Sequence, residues 1–242
     1  LPGPVAAFAS RIARALTASV LGATIVIAAP GVLSLKSAAD AAAAEFAGGE
    51  VELLGGPLLG DDGVAPFILS PRNIVERQRA LACLSQAIYF EAAHEPVEGR
   101  RAVAQVVLNR ARDPHFPASV CGVVYQGVEL GVCQFSFVCD GSLVRRPPSD
   151  VQWTDAWTVA ADALTGRVER GIGTATHYHA TYIAEPWGDT VVRTGVIGQH
   201  VFYRWRGKAG RAAALTSIYA GEGRLPAPAL SALAAYLPPG SV

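Results

Sequence analysis

The chain has 242 residues, formal net charge zero and 51% hydrophobic residues. That allows one domain of ordinary size with a real core, plus flanking segments. Balanced charge without a long basic run excludes nucleic acid as the expected partner. Met is absent throughout, so the chain reads as a fragment or a processed form.

At the N-terminus, Arg11 and Arg14 precede the uncharged segment Ala15 to Leu35, and Ala39-Asp40-Ala41 supplies an A-x-A-like site. Residues 1–41 are therefore expected to be a signal peptide or a membrane anchor. Residues 42–71 are Ala- and Gly-rich without clear periodicity and read as a linker. Residues 72–206 hold the patterned part of the chain, and 207–242 read as a flexible tail.

The spacing predicts a helix over Ile74 to Ala93, ended by Pro96. A second helix, Val97 to Arg112, carries Val103, Val106, Val107 and Arg110 at i, i+3, i+4 and i+7. The short link makes the two a hairpin. A short helix is expected within Ala118 to Tyr125. Gly127 to Pro148 is loop-rich. Ser149 or Asp150 caps a third clear helix, Val151 to Leu164, closed by Gly166. Strands are expected over Thr174 to Thr181 and at Val201-Phe202-Tyr203, with a helical turn or two over Leu230 to Tyr236.

Four cysteines, Cys83, Cys121, Cys133 and Cys139, suit an oxidising compartment. Their spacing leaves all three pairings open, and a buried free thiol is as good a reading for Cys83 as a bridge.

Chemistry gathers at Glu91. Leu81, Leu84 and Ile88 form an apolar helical stripe, and Glu91 is its next position. A carboxylate there is costly to ionise, so its pKa rises. A carboxylic acid kept neutral near pH 7 is the general acid that glycoside cleavage requires. Taken alone, the helix better fits a Glu tipped toward water and paired with an Arg. Three other segments join it. Asn109 borders the apolar stripe of the second helix, where its amide needs partners, as a tie between helices or as a substrate contact. Cys133 to Gly141 places Gln134, Phe135, Ser136 and Phe137 in one loop, able to stack on a sugar ring and bond its substituents. Thr176-His177-Tyr178-His179 alternates at strand spacing, with Pro186-Trp187 and Gly198 to Tyr203 beyond.

Cys83 to Ala92, Glu95 to Arg110, Val120 to Gln126, Cys133 to Gly141, the His-Tyr-His segment and His200-Val201-Phe202-Tyr203 together resemble the SleB-type cell-wall hydrolases, a family that includes the spore-cortex-lytic enzymes. The resemblance runs from about Leu81 to Tyr203. It implies an α+β domain like lysozymes and lytic transglycosylases, mainly helical with a short β-sheet. It also implies peptidoglycan as partner and substrate, and Glu91 as the catalytic acid after Tyr89-Phe90. Gln134, Phe135, Ser136, Tyr178 and His179 would line the groove; Asn109 is added as a candidate contact from its own position on the second helix. The Cys133/Cys139 and His177/His179 pairs look more like exported Gram-negative members than spore enzymes, so general wall remodelling is expected. Neither cofactor nor metal is called for. Membrane attachment through the N-terminal segment and a regulatory protein partner stay open, and the location is the periplasm or cell envelope. The expected reaction is cleavage between N-acetylmuramic acid and N-acetylglucosamine, as a lytic transglycosylase. Two alternatives compete: a zinc-dependent amidase using His177, His179 and His200, and a non-catalytic wall-binding module.

Overall fold

The computed structural model describes residues 63–145, 150–184 and 188–225. The elements in chain order are α1 (Ile74–Ala92), α2 (Val97–Arg112), α3 (Val120–Val124), α4 (Ser136–Cys139), α5 (Ser142–Arg145), α6 (Asp150–Leu164), β1 (His177–Ala180), β2 (Val191–Ile197) and β3 (His200–Trp205). The class is α+β, mainly helical with a small sheet, as expected from the sequence.

Helix α1 is the centre of the fold. Asn73 caps it by accepting the Glu76 N–H at 2.9 Å, which satisfies one of the first-turn donors. Ala80, Ala82, Cys83, Leu84, Ala87 and Ile88 are all fully buried, so α1 is buried on every side through its middle rather than along one stripe. It packs against α2, α3 and α6. The small residues Ala82, Ala87, Ala104, Ala156 and Ala160 at these contacts let the helices approach closely.

The sheet has three antiparallel strands in the order β1-β3-β2. Strand alternation sorts its faces. Tyr178 pairs with Phe202 and Ala180 with His200, while His177 pairs with Tyr203 and His179 with Val201. Tyr178, His200 and Phe202 therefore share one face, and His177, His179 and Tyr203 the other. A second core of Ala102, Val106, Ile172, Ala175 and Phe202 joins α2 to the sheet, and Tyr178 packs against both cores.

Cys83 bridges Cys121 across 38 residues, tying α1 to α3, and Cys133 bridges Cys139 across six. The free-thiol reading of Cys83 is thereby corrected. Its α1 position faces α3 directly.

Three further segments differ from the sequence reading. Strand β2 was not expected. It is an edge strand, broken by a bulge between Arg193 and Gly195, which hides its alternation. Within the expected linker, Val64 and Phe67 are buried, and the Leu69 N–H donates to the Leu164 carbonyl at 2.9 Å. Within the expected tail, residues 207–225 lie on the domain. Glu222, 2% exposed, accepts from the N–H groups of Val120 (3.0 Å) and Cys121 (2.8 Å) and from the Tyr219 hydroxyl (3.0 Å). Burial pushes this carboxyl's pKa up against the three donors that pull it down. Leu225 joins the core, so an apolar residue and a long-range cap hold this segment down. The expected N-terminal signal or anchor and the turn over Leu230 to Tyr236 lie outside the described residues. Among the described residues, no helix is long and apolar enough to cross a membrane.

Candidate active site

Glu91 sits in the last turn of α1. Tyr178, from the helix-facing side of β1, donates its hydroxyl to Glu91 Oε2 at 3.0 Å. Burial raises the Glu91 pKa above the usual carboxylate range. The Tyr178 hydrogen bond and the Arg110 charge pull it back down, and Asp140 pushes it up. The same burial, with Glu91 nearby, holds the Tyr178 hydroxyl well above its ordinary pKa, so it stays a donor.

Arg110 is the residue that sequence reasoning passed over. It is 4% exposed, donates from Nε to the Thr176 carbonyl at 2.6 Å, and lies over the rings of Phe116 (5.2 Å) and Phe135 (5.6 Å). Burial pushes its pKa down to about 10, which leaves it charged at neutral pH. It thus supplies a fixed positive charge behind Glu91 and Tyr178. The available signal was its place on the apolar stripe of α2, where a charge must be paired.

An aromatic wall surrounds this centre. Phe90 stacks on Phe137 with ring centroids 4.7 Å apart, and Tyr89 meets Phe90 and Trp153 edge-on at 5.1 and 5.8 Å. Phe135 is buried and packs on Phe137, so it supports the loop from inside instead of presenting a face to a sugar. Gln134 and Ser136 are exposed on either side of it, within the Cys133–Cys139 loop. The Gln134 N–H donates to the Gln126 carbonyl at 3.0 Å, which leaves its side chain outward.

Two expected site residues are not brought to Glu91. Asn109 is fully buried. Its Nδ2 donates to the carbonyls of Gly173 (2.9 Å) and Ala175 (2.8 Å), and its Oδ1 accepts from Gln105 and Arg112 at 2.9 and 3.2 Å. With its amide fully engaged it ties α2 to the segment before β1 and has no capacity for substrate. His179 lies on the sheet face opposite Tyr178. Its Nδ1 donates to the Ala180 carbonyl at 2.8 Å, and its Nε2 pairs with the Tyr203 hydroxyl at 2.9 Å. Period-two alternation forbids Tyr178 and His179 from facing Glu91 together.

The same alternation corrects the zinc reading. His200 lies on the helix-facing side, His177 and His179 on the other, so the three cannot converge on one ion. His177 bonds Thr176 Oγ1 at 2.9 Å and meets Trp205 edge-on at 4.4 Å, and burial and Arg110 hold its pKa down to about 4. Glu95, in the link between α1 and α2, accepts from the Gln199 N–H at 3.1 Å and anchors that link to the β2–β3 turn. Pro186 and Trp187 lie outside the described residues.

A family model described as Cell Wall Hydrolase matches residues 94–203, beginning just after Glu91. The spore cortex-lytic enzyme of Bacillus subtilis is 31% identical over 124 residues, covering 49% of this chain and 35% of the relative. That of Halalkalibacterium halodurans is 31% identical over 119 residues, covering 49% and 33%. The chain therefore spans about a third of the length of these relatives. The crystal structure of the catalytic domain of the Bacillus cereus SleB protein is 30% identical, covers 52% of this chain and 91% of that one, and superposes with a TM-score of 0.43.

Proposed function

The chain belongs to the cell wall hydrolase family through residues 94–203, and on that premise we propose that it cleaves the glycan strands of peptidoglycan with Glu91 as general acid and then base. The observation that carries the reading is the Glu91–Tyr178 pair. It is a desolvated carboxyl with a raised pKa, held in one orientation by a phenol from the sheet and backed by a buried arginine.

Glu91 donates its proton to the glycosidic oxygen between N-acetylmuramic acid and N-acetylglucosamine. The C1–O bond breaks and an oxocarbenium-like centre develops at the muramic C1. The 6-hydroxyl of the same sugar attacks C1 and passes its proton to the Glu91 carboxylate, giving a 1,6-anhydro end and restoring the acid. One enzymatic carboxyl suffices, because the nucleophile belongs to the substrate. Hydrolysis would need a second carboxylate across the bond. Asp140 is the acidic group felt by Glu91, but it is exposed, and its Oδ1 accepts the Ser142 N–H at 2.7 Å. Glu95 is engaged at Gln199. Gln134 and Ser136 are the polar contacts for the sugar, with the Phe90–Phe137 wall behind them. Two disulfides favour work outside the reducing cytoplasm, in the cell envelope.

The test is mass spectrometry of soluble fragments released from purified peptidoglycan by the full chain and by Glu91→Gln. Anhydro-muramic products that disappear in the variant support the proposal. Reducing-end muramic acid would mean hydrolysis and turn attention to Asp140. Release of peptides alone would overturn the glycosidic reading. Loss of lysis with retained binding in Glu91→Gln separates catalysis from a wall-binding role.

A further inference from the structure

A cleft of about 320 Å³ opens where β1 begins, at the end of the sheet away from the Glu95–Gln199 contact. Arg170, Arg193 and Arg204 line it, and no acidic side chain does. None of the three guanidiniums has an ion-pair partner among the described residues. Thr194, also on the wall, has a buried hydroxyl without a hydrogen-bond partner. Glu169 lies nearby, but its Oε1 is engaged by the Gly171 N–H at 3.0 Å. The walls are held by backbone contact. A Cβ added at Gly195 in the β2 bulge would stand 2.9 Å from the Gly171 carbonyl oxygen, and Thr174 anchors the floor by donating to the Gly210 carbonyl at 2.5 Å.

Three unpaired arginines around one concavity are a site for oxyanions, since guanidinium forks bind carboxylates bidentately. We propose that this cleft takes carboxylates of the peptide stems that hang from the muramic acid residues. The proposal rests on the glycan-cleavage reading above. Thr174 on the wall and Tyr178 at Glu91 are four residues apart, so at most about 14 Å separates them along the chain. A stem peptide of four residues has the same reach. On this proposal a sugar held at Glu91 lays its own stem toward the arginines, Arg204 first, since Arg204 shares the Tyr178 face of the sheet and Arg193 does not. The cleft then selects peptide-bearing over bare glycan.

The test is co-sedimentation of the full chain with intact sacculi, with sacculi stripped of stem peptides by an amidase, and with sacculi stripped of phosphodiester polymers by acid. Wild type and Arg170→Gln/Arg193→Gln/Arg204→Gln are compared, with Arg193→Gln alone as a milder variant on an exposed side chain. Wild type is expected to prefer peptide-bearing over peptide-stripped sacculi by roughly tenfold at low salt, the size of one or two charge-assisted hydrogen bonds. The preference falls toward one in the triple variant, falls partly in Arg193→Gln, and fades as salt is raised. Equal binding of wild type to both substrates, or an unchanged preference in the variants, overturns the proposal. Loss on phosphodiester removal in place of peptide removal also overturns it, assigning the cleft to phosphate. Every chain compared carries Glu91→Gln, wild type here meaning the unaltered cleft, so sedimentation reads binding without lysis, and failure of the Glu91 chemistry shows separately as absent fragments in the test above.

Discussion

The Tyr178 hydroxyl reaches the Glu91 carboxylate at 3.0 Å across 87 residues of sequence. One short strand thereby tempers the pKa of a helix-borne acid that burial raises. The bond favours the charged carboxylate, so it opposes the burial that raises the Glu91 pKa.

Tyr178→Phe removes that opposition. The Glu91 pKa then rises further. In the proposed mechanism Glu91 must be protonated to act, so activity is lost as pH climbs through its pKa. The alkaline limb of kcat/KM in Tyr178→Phe should therefore move to higher pH, while kcat at the optimum falls by about tenfold as the carboxyl loses its orientation. A pH–rate profile of fragment release checks this, and an alkaline limb displaced to lower pH would contradict it.

Arg110→Gln should act in the same electrostatic direction with a larger structural cost. Removing the positive charge raises the Glu91 pKa, and the Thr176 carbonyl loses its donor at 2.6 Å. The loss of a buried charged hydrogen bond costs about 1.5–3 kcal/mol. Urea denaturation should show a lower midpoint with an unchanged slope.

Asn109→Ala separates a tie from a substrate contact. It orphans the Gly173 and Ala175 carbonyls, at about 1–3 kcal/mol for each group left buried and unpaired. Thermal unfolding should shift down clearly, while KM for glycan, measured below the lowered Tm, should not rise. A raised KM with unchanged Tm would return Asn109 to the binding site.

The two bridges should differ in weight. Closing 38 residues removes about 4 kcal/mol of unfolded-state entropy at Cys83–Cys121, and closing six removes about 2 kcal/mol at Cys133–Cys139. The Cys83→Ser/Cys121→Ser pair should lower the Tm more. The Cys133→Ser/Cys139→Ser pair should lower activity more, because its loop carries Gln134 and Ser136. Calorimetry beside fragment release reads both.

Local rules were enough for much of the frame. Val97–Arg112 appears in the structure with the bounds its periodicity predicts, and Glu91 stood out because a carboxylate continued the stripe of Leu84 and Ile88. Alternation within His177-Tyr178-His179 already implied that Tyr178 and His179 diverge. Reading both as groove residues ignored that period. Other features had no local signature. The bulge at Arg193/Gly195 disguised β2, and Glu222 caps α3 from about a hundred residues away.

The sequence by itself determined the helices, the acidic position on α1 and the resemblance to wall hydrolases, since propensity, period and motif order act within a few residues of chain. Only the tertiary structure decided the partners. Tyr178 and Arg110 became the groups that tune Glu91, and Asn109 a structural tie. The three histidines were divided between two sheet faces, and Cys83 found Cys121. Each of these depends on which distant surfaces share a desolvated space. There burial and pairing set the cost of every charge and hydrogen bond.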